Sequence, residues 1–308
     1  MVEGIMLKDQ YNVIKEIGSG SFGKVYMVED TKTKTKLAIK RINKKDLEEN
    51  DYLYQAFWKE LEVMKKCECE YSVKLIEHFF SSNFYNIVME LCDTDLDCVL
   101  NKRTRGFSED EVKAILKQLN HVFSIMDREN IIHRDLKLRN IMVIFNKPNQ
   151  INIHQSSPIN FVAKLSDFGF SKVMDDDITR TKLGTPATMA PEILMNKNYT
   201  KKVDMWSIGI ITYQLLFKML PFRARNEKEL LNNIINHRGI KIPEGYKISE
   251  TLFDLLKNLL QFDPNNRTSW KQYFEHPFFN DSVGVIPSSN FEKVNNIFII
   301  LFSLKRSM

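Results

Sequence analysis

Residues 133 to 140 read His133-Arg134-Asp135-Leu136-Lys137-Leu138-Arg139-Asn140, and about thirty positions later the chain continues with Asp167-Phe168-Gly169. The two stretches place a carboxylate base, a lysine and two metal-ligand candidates in one order along the chain. Transfer of a phosphoryl group passes through a loose transition state, so a protein must mainly position a hydroxyl, hold magnesium against the phosphates and neutralise charge. The two stretches therefore contain a candidate for each of these parts.

A glycine-rich segment lies upstream and reads Gly18-Ser19-Gly20-Ser21-Phe22-Gly23-Lys24-Val25. Alternating apolar residues flank it, which is typical of a turn that joins two antiparallel strands, and glycines let backbone amides approach phosphate oxygens. A flexible hairpin tip or a dinucleotide-binding turn would use similar residues. A dinucleotide turn runs into a helix, whereas here another strand follows and leads to Leu37-Ala38-Ile39-Lys40. This order favours a phosphate-covering hairpin over a dinucleotide site.

Lys40 ends an apolar run, and a lysine that pairs with phosphate there needs an acidic partner. Apolar residues recur at helical spacing between positions 51 and 67: Phe57, Leu61 and Met64. This pattern predicts a helix with Glu60 on the adjoining face. Glu62 is the alternative partner, although most helix glutamates are simply solvated.

Length and composition agree with an ordinary globular protein. The chain has 308 residues, enough for one large or two coupled domains, and 43% of them are hydrophobic. The net charge of +5 comes from interspersed lysines and glutamates without a basic block, so nucleic-acid binding is not expected. The cysteines lack a secretory signal and zinc-ligand spacing, which predicts reduced thiols in the cytosol or nucleus. They are Cys67, Cys69, Cys92 and Cys98.

Three further segments bear on location and packing. No stretch reaches the roughly eighteen apolar residues of a membrane-spanning helix, and residues 1–8 are too short for a signal peptide, so a soluble protein is expected. The apolar run Ile297-Phe298-Ile299-Ile300-Leu301-Phe302 has the length of a strand or short helix that packs on the body, with binding of a partner as the second interpretation. Residues 146–160 are predicted to form an exposed loop between two strands.

Downstream motifs complete a pattern that resembles the eukaryotic protein kinase catalytic domain. They are Gly184-Thr185-Pro186, Ala190-Pro191-Glu192, Asp204-Met205-Trp206-Ser207-Ile208-Gly209, and Arg267 after Asp263-Pro264. The resemblance extends from about residue 11 to 279 and implies an α+β, two-lobed fold. Residues 11–90 would form a small antiparallel β lobe with one key helix, and residues 91–279 a larger, mainly helical lobe. Residues 280–308 would form a tail.

The resemblance implies ATP as phosphoryl donor, Mg²⁺ as the cation, and serine or threonine hydroxyls of proteins as acceptors. Asp135 would accept or orient the proton of the substrate hydroxyl, while Lys137 contacts the transferring phosphate. Lys137 at this position is typical of the serine/threonine class. Asn140 and Asp167 would bind magnesium. The remaining catalytic candidates are Lys40, Glu60, which falls where the family has its ion-pair residue, and Thr185.

ATP is expected in the cleft between the two lobes. Residues 86–92 would form the connecting strand, whose backbone at Glu90 and Cys92 meets the adenine. Met89 would lie at the back of the pocket, and Asp95 is the ribose candidate. The full set expected around the nucleotide is Ile17, Gly18, Ser19, Gly20, Ser21, Phe22, Gly23, Lys24, Val25, Ala38, Lys40, Met89, Glu90, Cys92, Asp95 and Met142.

The resemblance also predicts control by phosphorylation. Kinases with an arginine before the catalytic aspartate gather it with a second basic residue around a phosphorylated loop, here Arg134 and Lys172. Thr181 is the predicted phosphosite, and Thr179 is the alternative. Arg139 stands where arginine-directed kinases carry a glutamate, so apolar or acidic residues are expected around the target serine. A peptide array that selects upstream arginine would contradict this.

A second departure, besides Arg139, concerns the substrate groove, and several local strings bear on the subfamily. Thr188 replaces the aromatic residue that kinases usually carry before Met-Ala-Pro-Glu, which predicts an altered wall of the substrate groove. The strings after Lys40 and Asn140, with His276-Pro277-Phe278-Phe279, are similar to those of the ULK/Atg autophagy-initiating kinases. Kinases related to the calcium/calmodulin group share several strings and are one alternative. A pseudokinase scaffold that binds nucleotide without turnover is the other.

Overall fold

The first part of the chain forms a six-stranded antiparallel sheet. The computed structural model describes residues 4–20, 23–146, 158–168, 172–173, 185–236 and 240–280. The strands of the sheet are β1 (Met6–Leu7), β2 (Tyr11–Gly20), β3 (Gly23–Asp30), β4 (Lys36–Asn43), β5 (Leu75–Phe80) and β6 (Phe84–Glu90). They lie in the order β1-β2-β3-β4-β6-β5, so β5 is an edge strand.

Two helices separate β4 from β5, namely α1 (Lys44–Glu48) and α2 (Asp51–Lys66). The apolar residues of the predicted α2 pattern are all buried: Phe57, Leu61 and Met64. The sequence pattern did not predict α1, because this helix is too short to show a period. It begins where the Asn43 side chain accepts a hydrogen bond from the Lys45 N–H at 2.9 Å, as a helix N-cap does.

The second part of the chain is mainly helical, which confirms the α+β expectation. Its helices are α3 (Leu96–Lys102), α4 (Glu109–Arg128), α5 (Pro191–Leu194), α6 (Lys202–Phe217), α7 (Glu227–Asn236), α8 (Glu250–Leu259) and α9 (Trp270–Phe274). Its short strands are β7 (Thr94–Asp95), β8 (Ile131–Ile132), β9 (Ile141–Phe145), β10 (Phe161–Leu165) and β11 (Lys172–Val173). Short 3-10 helices occupy Leu138–Asn140, Pro186–Thr188 and Pro277–Phe279.

The polar segment between β9 and β10 does join two strands. Phe145 pairs with Phe161 in an antiparallel ladder, and the Asn146 N–H donates to the Asn160 carbonyl at 2.9 Å. Residues 147–157 lie outside the described residues, as do the apolar run 297–302 and the predicted phosphosite.

Helix α6 forms the centre of the second part. Nearly all of its side chains are buried, including its polar residues Asp204, Ser207 and Thr212. Helix α4 packs beside it through an apolar stripe and begins with a capping box between Ser108 and Glu111. Of the helices in the described ranges, none is both long and apolar enough to cross a membrane.

The loop after α2 connects the sheet to the helical part. The Leu165 N–H donates to the Tyr71 carbonyl at 2.8 Å, and the Val73 N–H donates to the Leu165 carbonyl at 2.9 Å. The Tyr71 ring stacks on His121 of α4 with ring centroids 4.7 Å apart. These contacts fix the end of α2 relative to the strand that precedes Asp167.

Arg267 forms a buried ion pair with Glu192. The guanidinium donates to both carboxylate oxygens at 2.6 and 2.9 Å, and the side chains are 0% and 3% exposed. Arg267 also donates to the carbonyls of Gln261 and Lys202 and lies over the Trp206 ring. The pair therefore joins α5 to α6 and to the segment after α8. It stabilises the packing of these elements within the helical part.

Breaking this pair should destabilise the fold strongly. Arg267→Met leaves the Glu192 charge buried and unpaired, which costs about 3–5 kcal/mol. We expect a loss of this size in the free energy of unfolding, measured by urea denaturation. The control is Arg128→Met, which removes an exposed pair with Glu129 and should cost less than about 1 kcal/mol. Equal losses in the two variants would contradict the structural role of the buried pair.

Candidate active site

A buried ion pair links β4 to α2. The Lys40 Nζ lies 2.7 and 3.0 Å from the two carboxylate oxygens of Glu60, and both side chains are buried. Asp167 Oδ1 lies 3.7 Å from the same nitrogen. Burial opposes the charge of Lys40, but the carboxylates of Glu60 and Asp167 outweigh it and raise the pKa of this amine. Lys40 is therefore a fixed cation beside Asp167.

Glu62 occupies a different environment from Glu60. Its carboxylate pairs with Lys59 and Lys66 on the exposed face of α2, at 3.0 and 2.8 Å. The hydrogen bonds from these two lysines lower its pKa. The structure thus pairs Lys40 with Glu60 and leaves Glu62 at the surface.

A closed polar triangle surrounds the Asp135 carboxylate. Lys137 Nζ lies 2.6 Å from Asp135 Oδ2 and 2.8 Å from Thr185 Oγ1, and the Thr185 hydroxyl donates to Asp135 Oδ1 at 2.8 Å. Asp135 is buried, whereas Lys137 and Thr185 are half-buried. Both carboxylate oxygens are thus held by neighbours, with the amine and the hydroxyl at the more open side. A hydroxyl that approached this side would meet a base and a cation together.

The two expected magnesium ligands are tied together through the backbone. Asn140 Nδ2 donates to Asp135 Oδ2 at 3.1 Å, which leaves its amide oxygen as the atom able to face a cation. The Ser166 N–H and hydroxyl both donate to the Asn140 carbonyl, at 2.9 and 3.0 Å. Ser166 directly precedes Asp167, so this contact fixes Asp167 relative to Asn140.

The oxygen chemistry of these ligands fits magnesium. Mg²⁺ prefers oxygen ligands in octahedral geometry, and it is usually bound by one or two carboxylates together with phosphates and water. Within the described ranges, no three or more His, Cys, Asp or Glu side chains are grouped to hold a metal by themselves. A cation between Asn140 and Asp167 would therefore need phosphate oxygens and water to complete its shell.

A second buried carboxylate holds the loop that carries Asp135. Asp204 of α6 accepts the His133 N–H at 2.9 Å and the Arg134 N–H at 3.0 Å, and it is fully buried. Burial raises the pKa of the Asp204 carboxyl, and the N–H groups and nearby positive charge act against that shift. The His133 ring lies 5.3 Å from the buried Phe168 ring. The loop is thereby fixed both to α6 and to the segment around Asp167.

Two residues of the site have a left-handed backbone. Arg134 has a φ of 68° and Asp167 a φ of 59°, a region that non-glycine residues seldom adopt. Such conformations cost about 1–3 kcal/mol each and persist only where surrounding contacts impose them. Here the contacts of Asp204 and of Ser166 impose them, which indicates that the site geometry is maintained against local strain.

The predicted glycine hairpin is present between β2 and β3. Gly20 pairs with Gly23 in an antiparallel ladder, and Ser21 and Phe22 lie outside the described residues. Gly23 has a φ of 152°, and a Cβ at this position would lie 2.2 Å from the Arg41 carbonyl oxygen. Only glycine lets the hairpin lie this close to β4. Lys24 points to Glu16 across the hairpin at 3.1 Å.

Most residues expected around the adenine lie on neighbouring strands, but β6 ends at Glu90, so Cys92 lies just beyond it and not on the predicted connecting strand 86–92. Ala38 of β4 pairs with Met89 of β6. The Glu90 side chain forms an ion pair with Lys164 at 3.0 Å, so its backbone rather than its carboxylate remains the candidate for a nucleotide contact. Burial raises the pKa of the Cys92 thiol to about 12, which keeps it protonated.

The ribose candidate and Met142 also meet in the structure. Asp95 pairs with Met142 between β7 and β9, and the Asp95 side chain accepts the Cys98 N–H at 2.8 Å as the N-cap of α3. Ile17 and Val25, on either side of the glycine hairpin, are exposed and half-buried respectively. One carboxylate oxygen of Asp95 is thus used by the helix cap, and a ribose contact would use the other.

The structure describes only part of the predicted phosphate-binding pair, Arg134 and Lys172. The backbone of Lys172 in β11 pairs with that of Ile132 in β8, and Ile132 precedes Arg134 by two positions. The Lys172 side chain is not among the described ones, and neither Thr181 nor Thr179 lies in the described ranges.

Arg139 stands at the position where a glutamate is expected to favour basic substrates. Its side chain is exposed and lies 3.3 Å from the Asp97 carboxylate of α3.

Three residues that position the site are not among the predicted catalytic and binding residues. One is Asp204, although a lone carboxylate at the start of an apolar helix is a signal of a buried polar contact. Ser166 has no such signal. Thr188 is buried and donates to the Thr185 carbonyl at 3.1 Å, and its own carbonyl accepts the Ser207 hydroxyl at 2.9 Å. Its side chain therefore supports Thr185.

Comparisons with known proteins agree with this geometry. The family model described as protein kinase domain matches residues 11–279. A probable myosin light chain kinase of Dictyostelium discoideum is 33% identical over 292 residues, which cover 91% of this chain and 87% of that protein.

Two further relatives are named as serine/threonine-protein kinases. Serine/threonine-protein kinase ATG1 of Gibberella zeae is 31% identical over 87% of this chain and 32% of its own length. Serine/threonine-protein kinase ULK3 of Xenopus laevis is 31% identical over 88% of this chain and 55% of its own length. The chain thus spans about a third of the ATG1 relative and about half of ULK3.

Proposed function

Because this chain belongs to the protein kinase domain family and is a serine/threonine protein kinase, we propose that it transfers the γ-phosphoryl group of Mg-ATP to serine or threonine hydroxyls of proteins. The observation that carries this proposal is the triangle of Asp135, Lys137 and Thr185, with contacts of 2.6–2.8 Å. These groups can orient a hydroxyl and meet the charge of a phosphate in one place.

Each residue of the site has a separate role in the proposed phosphoryl transfer. Asp135 accepts or orients the proton of the substrate hydroxyl, and Thr185 holds the carboxylate in register. Lys137 stabilises the negative charge of the phosphoryl group in transit. Lys40, fixed by Glu60, contacts the other phosphates. Magnesium held by Asn140 and Asp167 would neutralise phosphate charge, as in other phosphoryl-transfer sites.

The nucleotide would lie between the glycine hairpin and the strands behind it. Gly18 to Val25 would cover the phosphates, and Ile17, Ala38, Met89 and Met142 would enclose the adenine. The backbone at Glu90 and Cys92 would bind the adenine edge, and Asp95 the ribose. Residues 11–90 and 91–279 would act as the two lobes.

Two substitutions test this chemistry. Asp135→Asn removes the base, and Lys40→Met removes the cation paired with Glu60, so we expect phosphate transfer to a generic serine protein to fall by roughly 10²–10⁴-fold. The measurement is magnesium-dependent transfer of labelled phosphate from ATP. Matched controls are Asp254→Asn and Lys59→Met, which alter partly exposed or surface pairs and should leave transfer unchanged.

The same experiment separates the enzyme from a scaffold. ATP binding without transfer by the wild-type chain, under conditions in which the controls fold normally, would favour a nucleotide-binding pseudokinase and contradict the proposed activity.

We further propose that Thr181 is an activating phosphosite, whose phosphate pairs with Arg134 and Lys172. The support is the backbone pairing that brings position 172 beside the strand leading to Arg134. A phosphate adds nearly two negative charges and strong acceptor oxygens, so it can order a loop against two cations.

Thr181→Ala should therefore lower turnover without loss of thermal stability, whereas Thr179→Ala should not. The measurement compares turnover of each variant with the wild type after phosphorylation has been verified by mass spectrometry. Full turnover of Thr181→Ala beside a fully phosphorylated wild type would reject this site, and a loss confined to Thr179→Ala would move it to that position.

The pathway we propose is control of autophagosome formation, supported by the ATG1 and ULK3 relatives. A calcium/calmodulin-related signalling kinase is the second candidate, and the myosin light chain kinase relative favours it. We propose a cytoplasmic location, because all four cysteines lie in the described ranges as free thiols. The tail 280–308 is the candidate contact for a regulatory protein.

The two pathways predict opposite results in cells that lack this chain. If the autophagy proposal holds, autophagosome formation on starvation falls, and the wild-type chain restores it while Asp135→Asn does not. Normal autophagosome formation, together with transfer activity that requires calcium-loaded calmodulin, would support the second candidate instead.

A further inference from the structure

An arginine on the outer face of the sheet lies back to back with the lysine of the site. Arg41 directly follows Lys40 in β4, and successive side chains of a strand point to opposite faces of the sheet. Lys40 contacts Glu60 of α2, so Arg41 faces away from the site. The strand register places Arg41 between Lys24 of β3 and Asn86 of β6. The proposed chemistry does not use this side chain.

The guanidinium of Arg41 bridges three strands. It lies 4.1 Å from the centre of the Phe84 ring in β6 and 5.8 Å from the centre of the Tyr26 ring in β3. Both distances are within the range of about 6 Å over which a cation is attracted to an aromatic face. Because β4 lies between β3 and β6 in the sheet, one side chain of β4 contacts the strands on both sides of it.

Aromatic contacts, and not an ion pair, hold this cation. Among the described residues, no carboxylate pairs with the Arg41 guanidinium, and its buried Nε has no hydrogen-bond partner. Burial lowers the pKa of Arg41, although a guanidinium stays charged in proteins. A charge that is partly removed from water without an ion pair is costly, and the two rings offset part of this cost. The position of the guanidinium is therefore set by Tyr26 and Phe84.

The two rings belong to well-anchored parts of the sheet. Tyr26 is buried with Ile39 in the apolar core of the outer face. Phe84 begins β6, and its carbonyl accepts the side-chain amide of Asn86 at 3.1 Å and the Ser81 N–H at 2.9 Å. Arg41 therefore connects β3 to a turn that several hydrogen bonds hold in place.

The glycine hairpin continues directly into β3. Gly23 opens this strand and lies against Arg41, since a Cβ on Gly23 would be 2.2 Å from the Arg41 carbonyl oxygen. Gly18, Gly20 and Gly23 have no side chains to pack, so the hairpin takes its position from the strands that lead into it. Tyr26 follows Gly23 by three positions on the same strand. A contact that fixes Tyr26 therefore also restrains the base of the hairpin.

We propose that Arg41 is a positioning residue for the glycine hairpin. Its guanidinium holds β3 against β6 from the outer face of the sheet, and this contact keeps the hairpin over the phosphates that Lys40 would meet from the inner face. Arg41 acts through Tyr26 and Phe84, because it faces away from the nucleotide. The inference rests on the proposed function in one respect, the binding of ATP beneath the hairpin.

Arg41→Met tests this role in the full chain, because it keeps an apolar stem and removes the guanidinium. We expect the KM for ATP and the Kd for a non-hydrolysable ATP analogue to rise roughly three- to tenfold, while kcat and the KM for the protein substrate stay close to wild type. Losing contacts made equally to bound ATP and to the transition state raises KM without lowering kcat. A merely structural role would instead lower the folded fraction and with it the apparent kcat.

Hydrogen exchange of backbone amides provides a measurement that needs no turnover. Amides of residues 18–25 should exchange faster in Arg41→Met than in the wild type, because the base of the hairpin opens more often. Exchange in α6 should be unchanged, which excludes a general loosening of the fold. The control Lys36→Met removes an exposed cation from the other end of β4 and should alter neither the exchange nor the affinity for the analogue.

A double-mutant cycle tests whether Arg41 acts through Phe84. Phe84→Leu removes the aromatic face but keeps an apolar side chain, so it should raise the Kd for the analogue about as much as Arg41→Met does. The variant with both substitutions should bind no more weakly than either single variant, because the second change has no contact left to break. Phe84→Tyr keeps the ring and should bind the analogue like the wild type.

Salt distinguishes this role from a direct attraction between the Arg41 charge and ATP. Such an attraction weakens as the ionic strength rises. The ratio of the Kd values of Arg41→Met and the wild type should instead be the same at low and at high salt, because the aromatic contacts are packed within the protein.

Three results would overturn the proposal: equal Kd values for Arg41→Met and the wild type, additive losses in the double-mutant cycle, or a Kd ratio that approaches one at high salt. The proposed function fails in a different way. If the wild-type chain binds the analogue but transfers no phosphate, the effect of Arg41 on binding and exchange still stands. If transfer is normal and Arg41→Met changes neither, only the role of Arg41 is rejected.

Discussion

A buried carboxylate on α6 fixes the segment on which the whole site depends. Asp204 accepts the backbone N–H groups of His133 and Arg134 at 2.9 and 3.0 Å and has no exposed surface. A charge buried in this way is costly unless hydrogen bonds compensate it, so the contact strongly favours one conformation of the loop. Asp135 follows directly, and its position is therefore set by a helix whose side chains are nearly all buried.

A separate interaction, the pair of Lys40 and Glu60, joins β4 to α2 on the other side of the site. Asp167 lies between this pair and the loop that carries Asp135, because it is 3.7 Å from Lys40 and follows Ser166, which binds the Asn140 carbonyl. Both Arg134 and Asp167 keep a left-handed backbone. The site is thus assembled by long-range contacts that overcome local preferences, as expected where geometry serves chemistry.

Sequence reasoning succeeded where a local period or an ordered motif determines the outcome. The helical period of α2 predicted Glu60 on the face beside the apolar stripe, and the resemblance to protein kinases favoured it over Glu62 as the partner of Lys40. In the structure the two side chains lie 2.7 Å apart. The glycine hairpin and the β9–β10 connection follow from local chain chemistry. Contacts set by tertiary packing could not be predicted from the sequence. Thr188 is buried, its hydroxyl donates to the Thr185 carbonyl, and its own carbonyl accepts the Ser207 hydroxyl of α6. Thr181 stays a prediction, since it lies outside the described residues.

The central claim is that Asp135, Lys137, Asn140 and Asp167 meet at one terminal phosphate. A crystal structure with a non-hydrolysable ATP analogue and Mn²⁺ tests it most directly, because anomalous scattering locates manganese independently. We predict a manganese peak about 2 Å from the Asn140 amide oxygen and the Asp167 carboxylate, with the terminal phosphate beside Lys137. Manganese bound elsewhere, or a phosphate remote from Asp135, would contradict the account.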